Sequence, residues 1–181
     1  MLPGTNKAHE GQASRPGYAR AAVLPTLAFM KPRLSRWIAL GAGSGLSPVS
    51  PGTVGTLWAW VTFLLLNPVI GAAGWALVLP LAFVLGVWAC ERTGRDLGVS
   101  DHGAMVWDEV VAFWLVLWIV PDSAASQWSA FLLFRFFDIV KPVPIRTLER
   151  AIKGGFGVML DDLLAAGYTL LVIAVWARLF P

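Results

Sequence analysis

Apolar residues run along this chain in blocks, near Thr53–Leu66, Ala72–Cys90, Ala104–Val120, Gln127–Val140 and Val158–Leu179, with polar or Gly/Pro-rich breaks between them. Read as helices, several of the blocks are short. The fourteen residues of the first rise about 21 Å. That is less than the roughly 30 Å of a bilayer's hydrocarbon core, so such helices span only with tilt, local thinning or partial embedding. The pattern predicts a compact multi-helical integral membrane bundle, all-α, with about four to five short apolar helices.

The breaks are of two kinds. "NPVIG" (Asn67–Gly71), "PDSAAS" (Pro121–Ser126) and the C-terminal end with Arg178 are short and nearly uncharged. The N-terminus with "GAGSGLSPVSPGT", then "ERTGRDLGVSDHG", then "KPVPIRTLERAIKGGFG" are charged and rich in Gly or Pro. Simple alternation of the helices places the second kind on one side, together with twelve of the fourteen Lys and Arg. A basic loop excess marks the cytoplasmic face. Residues 1–34 read as a mobile basic arm and residues 35–181 as one membrane-embedded domain. "AAVLPTLAFM" has the look of a signal-peptide core, but Pro25 breaks it, no small-x-small site follows, and Lys31, Arg33 and Arg36 come next, so cleavage is not expected.

Composition strengthens the membrane reading. Hydrophobic residues make up 57% of the chain and charged residues 14%, where an ordinary soluble domain is nearer a quarter charged. The net charge is only +3, yet six of the fourteen basic residues precede position 40. With no aromatic–basic binding module behind it, such a segment suits anionic membrane phospholipids rather than nucleic acid. The lone Cys90 excludes an intramolecular disulfide and a CxxC metal site.

The acids then raise the question of chemistry. Asp108 and Glu109 open the third block, Asp138 closes the fourth, and Asp161 and Asp162 open the fifth. Charges in apolar helices are costly and mark a protein interior, a cavity or a metal. Three helices thus bring five carboxylates to about one membrane depth, at the cytoplasmic interface. Such a set repels itself unless cations neutralise it, and hard divalent ions such as Mg²⁺ take oxygen ligands. The competing account has these acids capping helices or pairing with Arg135, Arg146 and Arg150.

Several residues suit a phosphate group beside such a centre. Lys141 follows Asp138 by three positions, before Pro142 and Pro144 break the helix. It fits either a phosphate oxygen or a lysine reaching the interface, and Arg146 has the same two readings. Gly43, Ser44, Gly45 and Thr53 lie in a glycine-rich stretch that runs into a helix start, where backbone N–H groups attract phosphate; a plain re-entrant turn explains the stretch equally well. Asp101 is either a helix cap or a general base, and Glu109 is the other candidate base. His102 suits a surface or capping role at least as well as catalysis.

"GSGLSPVSPGTVGTL", "DHGAMVWDEVVAFW", "FRFFDIVKPVPIR" and "GGFGVMLDDLLAAG", in that order and spacing, resemble the successive motifs of the phosphatidylglycerophosphatase A family. The resemblance covers roughly Ser35 to Pro181. It implies an all-helical, Mg²⁺-dependent lipid phosphatase of the bacterial inner membrane, hydrolysing phosphatidylglycerophosphate to phosphatidylglycerol and phosphate. The motif acids Asp108, Glu109, Asp138, Asp161 and Asp162 are all present. Of the other classes weighed, an ion transporter predicts binding groups near the midplane between related halves. Here the acids gather at one interface and no halves repeat.

Overall fold

The computed structural model describes residues 25–180, and among them every regular element is a helix. Two short helices, α1 (Leu27–Met30) and α2 (Leu34–Ala39), lead into a 3₁₀ turn at Gly41–Leu46. There follow α3 (Pro51–Leu97), α4 (Trp107–Ile119), α5 (Ala124–Val140), α6 (Ile145–Ala151) and α7 (Gly155–Leu179).

The helix α3 is not one rod. Gly71 takes φ 65° and ψ 171°, a combination open almost only to glycine. The rings of Phe63 and Trp75 stack with centroids 4.8 Å apart, and Trp75 Nε1 donates to Asn67 Oδ1 at 3.0 Å. A straight helix would hold Phe63 and Trp75 about 18 Å apart. The chain therefore doubles back at Gly71 into two arms, residues 51–70 and 72–97. The break expected over Asn67–Gly71 is compressed into one residue, because helical hydrogen bonding continues as far as the glycine allows.

The central element is α4. Val110, Phe113 and Val116 are fully buried, and most of its other side chains are buried or half-buried. Trp114 Nε1 donates to the Ala59 carbonyl on the first arm of α3 at 2.9 Å, and Trp107 Nε1 to the Ala82 carbonyl on the second at 3.0 Å. A helix enclosed on all sides needs no polar stripe, which explains the unbroken apolar run after Glu109. By contrast, α3, α5 and α7 turn large apolar side chains outward, among them Leu65, Leu81, Leu132, Ile139 and Leu171. Among the described residues two helices, α3 and α7, are long and apolar enough to cross a membrane.

The first 24 residues of the expected N-terminal arm lie outside the described residues. Its remainder, residues 25–34, contains α1 and buries Met30. Arg33 and Arg36 grip Asp96 near the end of α3 at 2.8 and 3.0 Å. At the same end of the bundle, α5 stops at Val140; Lys141 takes φ 44°, and Pro142 cannot continue the helix. The segment after it forms α6, a helix the apolar pattern did not announce. α7 begins at Gly155, three residues before its apolar block, so Asp161 and Asp162 sit well inside the helix rather than opening it.

Candidate carboxylate centre

Three helix segments deliver the acids to one end of the bundle. The first turn of α4 supplies Asp108 and Glu109, α7 supplies Asp161 and Asp162, and the last turn of α5 supplies Asp138. Oxygen atoms of Asp108, Glu109 and Asp162 all lie within 4.8 Å of one another. Asp108 is 8% exposed and Asp162 3%. Each of the three keeps one buried oxygen without a hydrogen-bond partner: Asp108 Oδ1, Glu109 Oε2 and Asp162 Oδ2. Unpartnered buried oxygens are expensive, and three negative groups at this range repel. An all-oxygen set of this kind fits a hard divalent cation.

The remaining two acids are already engaged. Asp138 pairs with Arg135 Nη1 at 2.5 Å. Asp161 pairs with Lys141, whose ammonium also reaches Glu149 at 3.3 Å. Burial pulls the Lys141 pKa down, but the Asp161 and Glu149 carboxylates outweigh it and the net direction is up. Lys141 is a permanent cation at this edge of the site.

Asp101 stands apart, on the connection between α3 and α4. It borders a recess of about 490 Å³ shared with Glu91, Arg95, Val99 and Gly154. A narrow cleft runs from it to Asp161, past Glu149 and Lys153. Withdrawal from water pushes its carboxyl above the usual range, and nearby Lys141 opposes the rise.

The glycine-rich stretch is placed differently from a phosphate loop. Ser44 Oγ donates to the Gly41 carbonyl at 2.9 Å. A Cβ on Gly45 would lie 2.0 Å from the Ala104 carbonyl oxygen, and the nearest atom to one on Gly43 would be Met30 Cε. These residues pack the chain before α3 against the start of α4. Thr53 lies on the first turn of α3. Arg146 is exposed and donates to the Val140 carbonyl at 3.3 Å.

Gly52 and Arg135 stand beside the carboxylates; the sequence marks the second only as a charge partner and does not mark the first. A Cβ on Gly52 would stand 2.3 Å from Glu109 Oε1, so only glycine admits the acid there. Arg135 touches Glu109 at 3.8 Å and Thr56 Oγ1 at 3.4 Å, besides Asp138. Of the three arginines weighed as partners of the acids, Arg135 is the one that holds them. Its signal was a cation inside the apolar run "FRFFD".

Fold and site together define a class: an all-helical protein with apolar outer faces and a buried oxygen-only centre that could hold a metal ion. The profile of the Phosphatidylglycerophosphatase A family matches residues 37–177, and the chain belongs to that family. It is an enzyme, a phosphatase. It is 44% identical over 138 residues to the phosphatidylglycerophosphatase A of Haemophilus influenzae, across 75% of this chain and 84% of that protein. With the Escherichia coli phosphatidylglycerophosphatase A it shares 43% over 130 residues, across 71% of this chain and 74% of the relative. A Bacteroides thetaiotaomicron relative, named provisionally as a phosphatidylinositol-3-phosphatase, is 44% identical over 147 residues, across 76% of this chain and 90% of its own. No solved structure matches the chain.

Proposed function

We propose that this enzyme hydrolyses the terminal phosphomonoester of phosphatidylglycerophosphate, giving phosphatidylglycerol and inorganic phosphate in bacterial phospholipid synthesis. The observation that carries the reading is the trio Asp108, Glu109 and Asp162, each with a buried oxygen left open, in a chain whose relatives include two named for this reaction. The third relative's name also specifies a phosphomonoester on a lipid headgroup. The reaction type is thus shared and the headgroup is the finer choice.

The protein is read as a multi-pass protein of the bacterial inner membrane. The two arms of α3 with α4, α5 and α7 form the embedded bundle, and residues 1–34 form the basic arm. The outward Leu and Ile side chains suit acyl chains, and the acid-bearing end faces the basic, cytoplasmic side. A diacyl substrate then keeps its chains in the bilayer and presents its phosphate at the interface.

Asp108, Glu109 and Asp162 would hold the cation, read as Mg²⁺, with Asp138 and Asp161 supporting them from the flanks. Such an ion supplies positive charge at the phosphate and lowers the pKa of water. Lys141 neutralises a phosphate oxygen as a point charge, while its pairing with Asp161 fixes its position. Asp101, which borders the recess, accepts a proton from the attacking water. A new P–O bond forms as the bond to the glycerol oxygen breaks, and that oxygen leaves with a proton. Glu109 is the alternative base. Phosphate contact by Gly43, Ser44, Gly45, Thr53 and Arg146 is the weaker part of the reading, since the loop glycines pack against protein and Arg146 faces outward.

The test is phosphate release from phosphatidylglycerophosphate by purified protein in detergent, with Mg²⁺, with chelator, and for Asp162→Asn. Release that needs both the metal and Asp162 is the expected result. Release from phosphatidylinositol 3-phosphate alone would move the substrate assignment, and no release with any divalent metal would end the phosphatase reading.

A further inference from the structure

Arg135 is the cation built into the acid cluster, and its contacts are lopsided. Its side chain is 13% exposed. Nη1 makes the recorded contacts, to Asp138 at 2.5 Å, Thr56 at 3.4 Å and Glu109 at 3.8 Å. Nε is buried and has no hydrogen-bond partner, and Nη2 makes no hydrogen bond to any described residue. A guanidinium offers five donors in a planar fork, and leaving buried donors idle is costly. Neutralising Glu109 and Asp138 requires only a point charge, which lysine would supply. The fork is the feature that matches two oxygens of a phosphate at once.

Residue 52 decides whether Nη2 can be reached. A Cβ there would lie 3.1 Å from Nη2 and 3.2 Å from Nη1, besides crowding Glu109 Oε1, so any side chain at this position would cover the end of the guanidinium that carries Nη2. Glu109 connects Arg135 directly to the open trio. An anion held on this edge would sit beside the proposed metal ligands.

We infer that Arg135 binds the substrate phosphomonoester, with Nη2, whose two N–H donors are unspent beside Gly52, taking phosphate oxygens. The inference rests on the phosphatase reading and adds to it a residue and a contact geometry. It also makes Gly52 the position that keeps the anion site open.

The experiment compares wild type, Arg135→Lys and Gly52→Ala in detergent. Four quantities are read: KM and kcat for phosphatidylglycerophosphate, the inhibition constant of inorganic phosphate, the Mg²⁺ activation constant, and the thermal shift caused by inorganic phosphate without turnover. Losing this charge-assisted contact should raise KM and the phosphate inhibition constant about tenfold in Arg135→Lys. The phosphate-induced thermal shift should shrink in parallel, while the Mg²⁺ activation constant changes less than the phosphate inhibition constant, since lysine keeps a positive charge beside Glu109. Gly52→Ala should move the same quantities in the same direction. If Arg135→Lys alters the Mg²⁺ constant and leaves phosphate inhibition unchanged, Arg135 is only a charge partner of the acids and the inference fails. Should Arg135→Lys not fold, unchanged phosphate inhibition in Gly52→Ala overturns it alone. If wild type releases no phosphate with any metal, the phosphatase reading itself falls and takes this inference with it.

Discussion

The two ends of the bundle treat buried polar groups in opposite ways. At the end where α3 turns at Gly71, Trp60 Nε1 donates to Gln127 Oε1 at 2.7 Å, and Gln127 Nε2 donates to Asp122 Oδ1 at 2.9 Å. Trp75 is satisfied by Asn67 at 3.0 Å. At the other end, Asp108, Glu109, Asp162 and Arg135 each keep a buried atom without a partner. Both ends carry polar side chains in an apolar bundle, so burial alone does not distinguish structure from function. Closure does: a network that satisfies itself holds the fold, and one left open is built for something the chain does not supply.

The sharpest way to break this comparison is to neutralise one open acid. Asp108→Asn should lower phosphate release about 10²- to 10³-fold, the range seen when one charge-stabilising group is lost. The same change should leave thermal stability in chelator unchanged or higher, since it removes a like charge from a crowded set. In wild type, Mg²⁺ at a hundred times its dissociation constant should add about 2.7 kcal/mol of stability, and this increment should vanish in the variant. A thermal-shift assay in Mg²⁺ and in chelator reads both.

Asp101→Asn comes next. It should reduce kcat about 10²-fold while retaining the Mg²⁺-dependent thermal shift, because Asp101 lies outside the trio. Its carboxyl is pushed above the ordinary range, so wild-type activity falls as pH drops through that raised pKa and the base becomes protonated. A pH–kcat profile of the variant should lack this acidic limb. If the limb persists, the base is Glu109.

The closed end predicts the reverse pattern. Gln127→Ala strands the Trp60 N–H and should cost about 1–3 kcal/mol of stability with KM and kcat unchanged, as measured by denaturation and steady-state kinetics. The smallest effect belongs to Arg146→Ala. This exposed side chain bonds only a backbone carbonyl, and its loss should alter KM by less than about twofold, in keeping with the small effect of most surface substitutions. A larger rise in KM would return Arg146 to the phosphate site.

Much of this protein was determined by its sequence alone. Apolar blocks with few charges require helices, because an unpaired backbone cannot be left in an apolar environment. The spacing of the acids at block ends was enough to predict that they converge, since alternating helices return to the same side. The meeting of Asp108, Glu109 and Asp162 was therefore legible from the chain. Tertiary structure decided which acids remain open and which are consumed. Asp138 and Asp161 are indistinguishable from the trio by type and position, yet Arg135 and Lys141 occupy them. It also turned attention from Gly43 and Gly45, which the glycine-rich run favoured, to Gly52, because close approach depends on what lies opposite. The physical reason is the same in each case: a sequence fixes what a side chain can offer, while the neighbours that accept or leave the offer meet only when the chain folds.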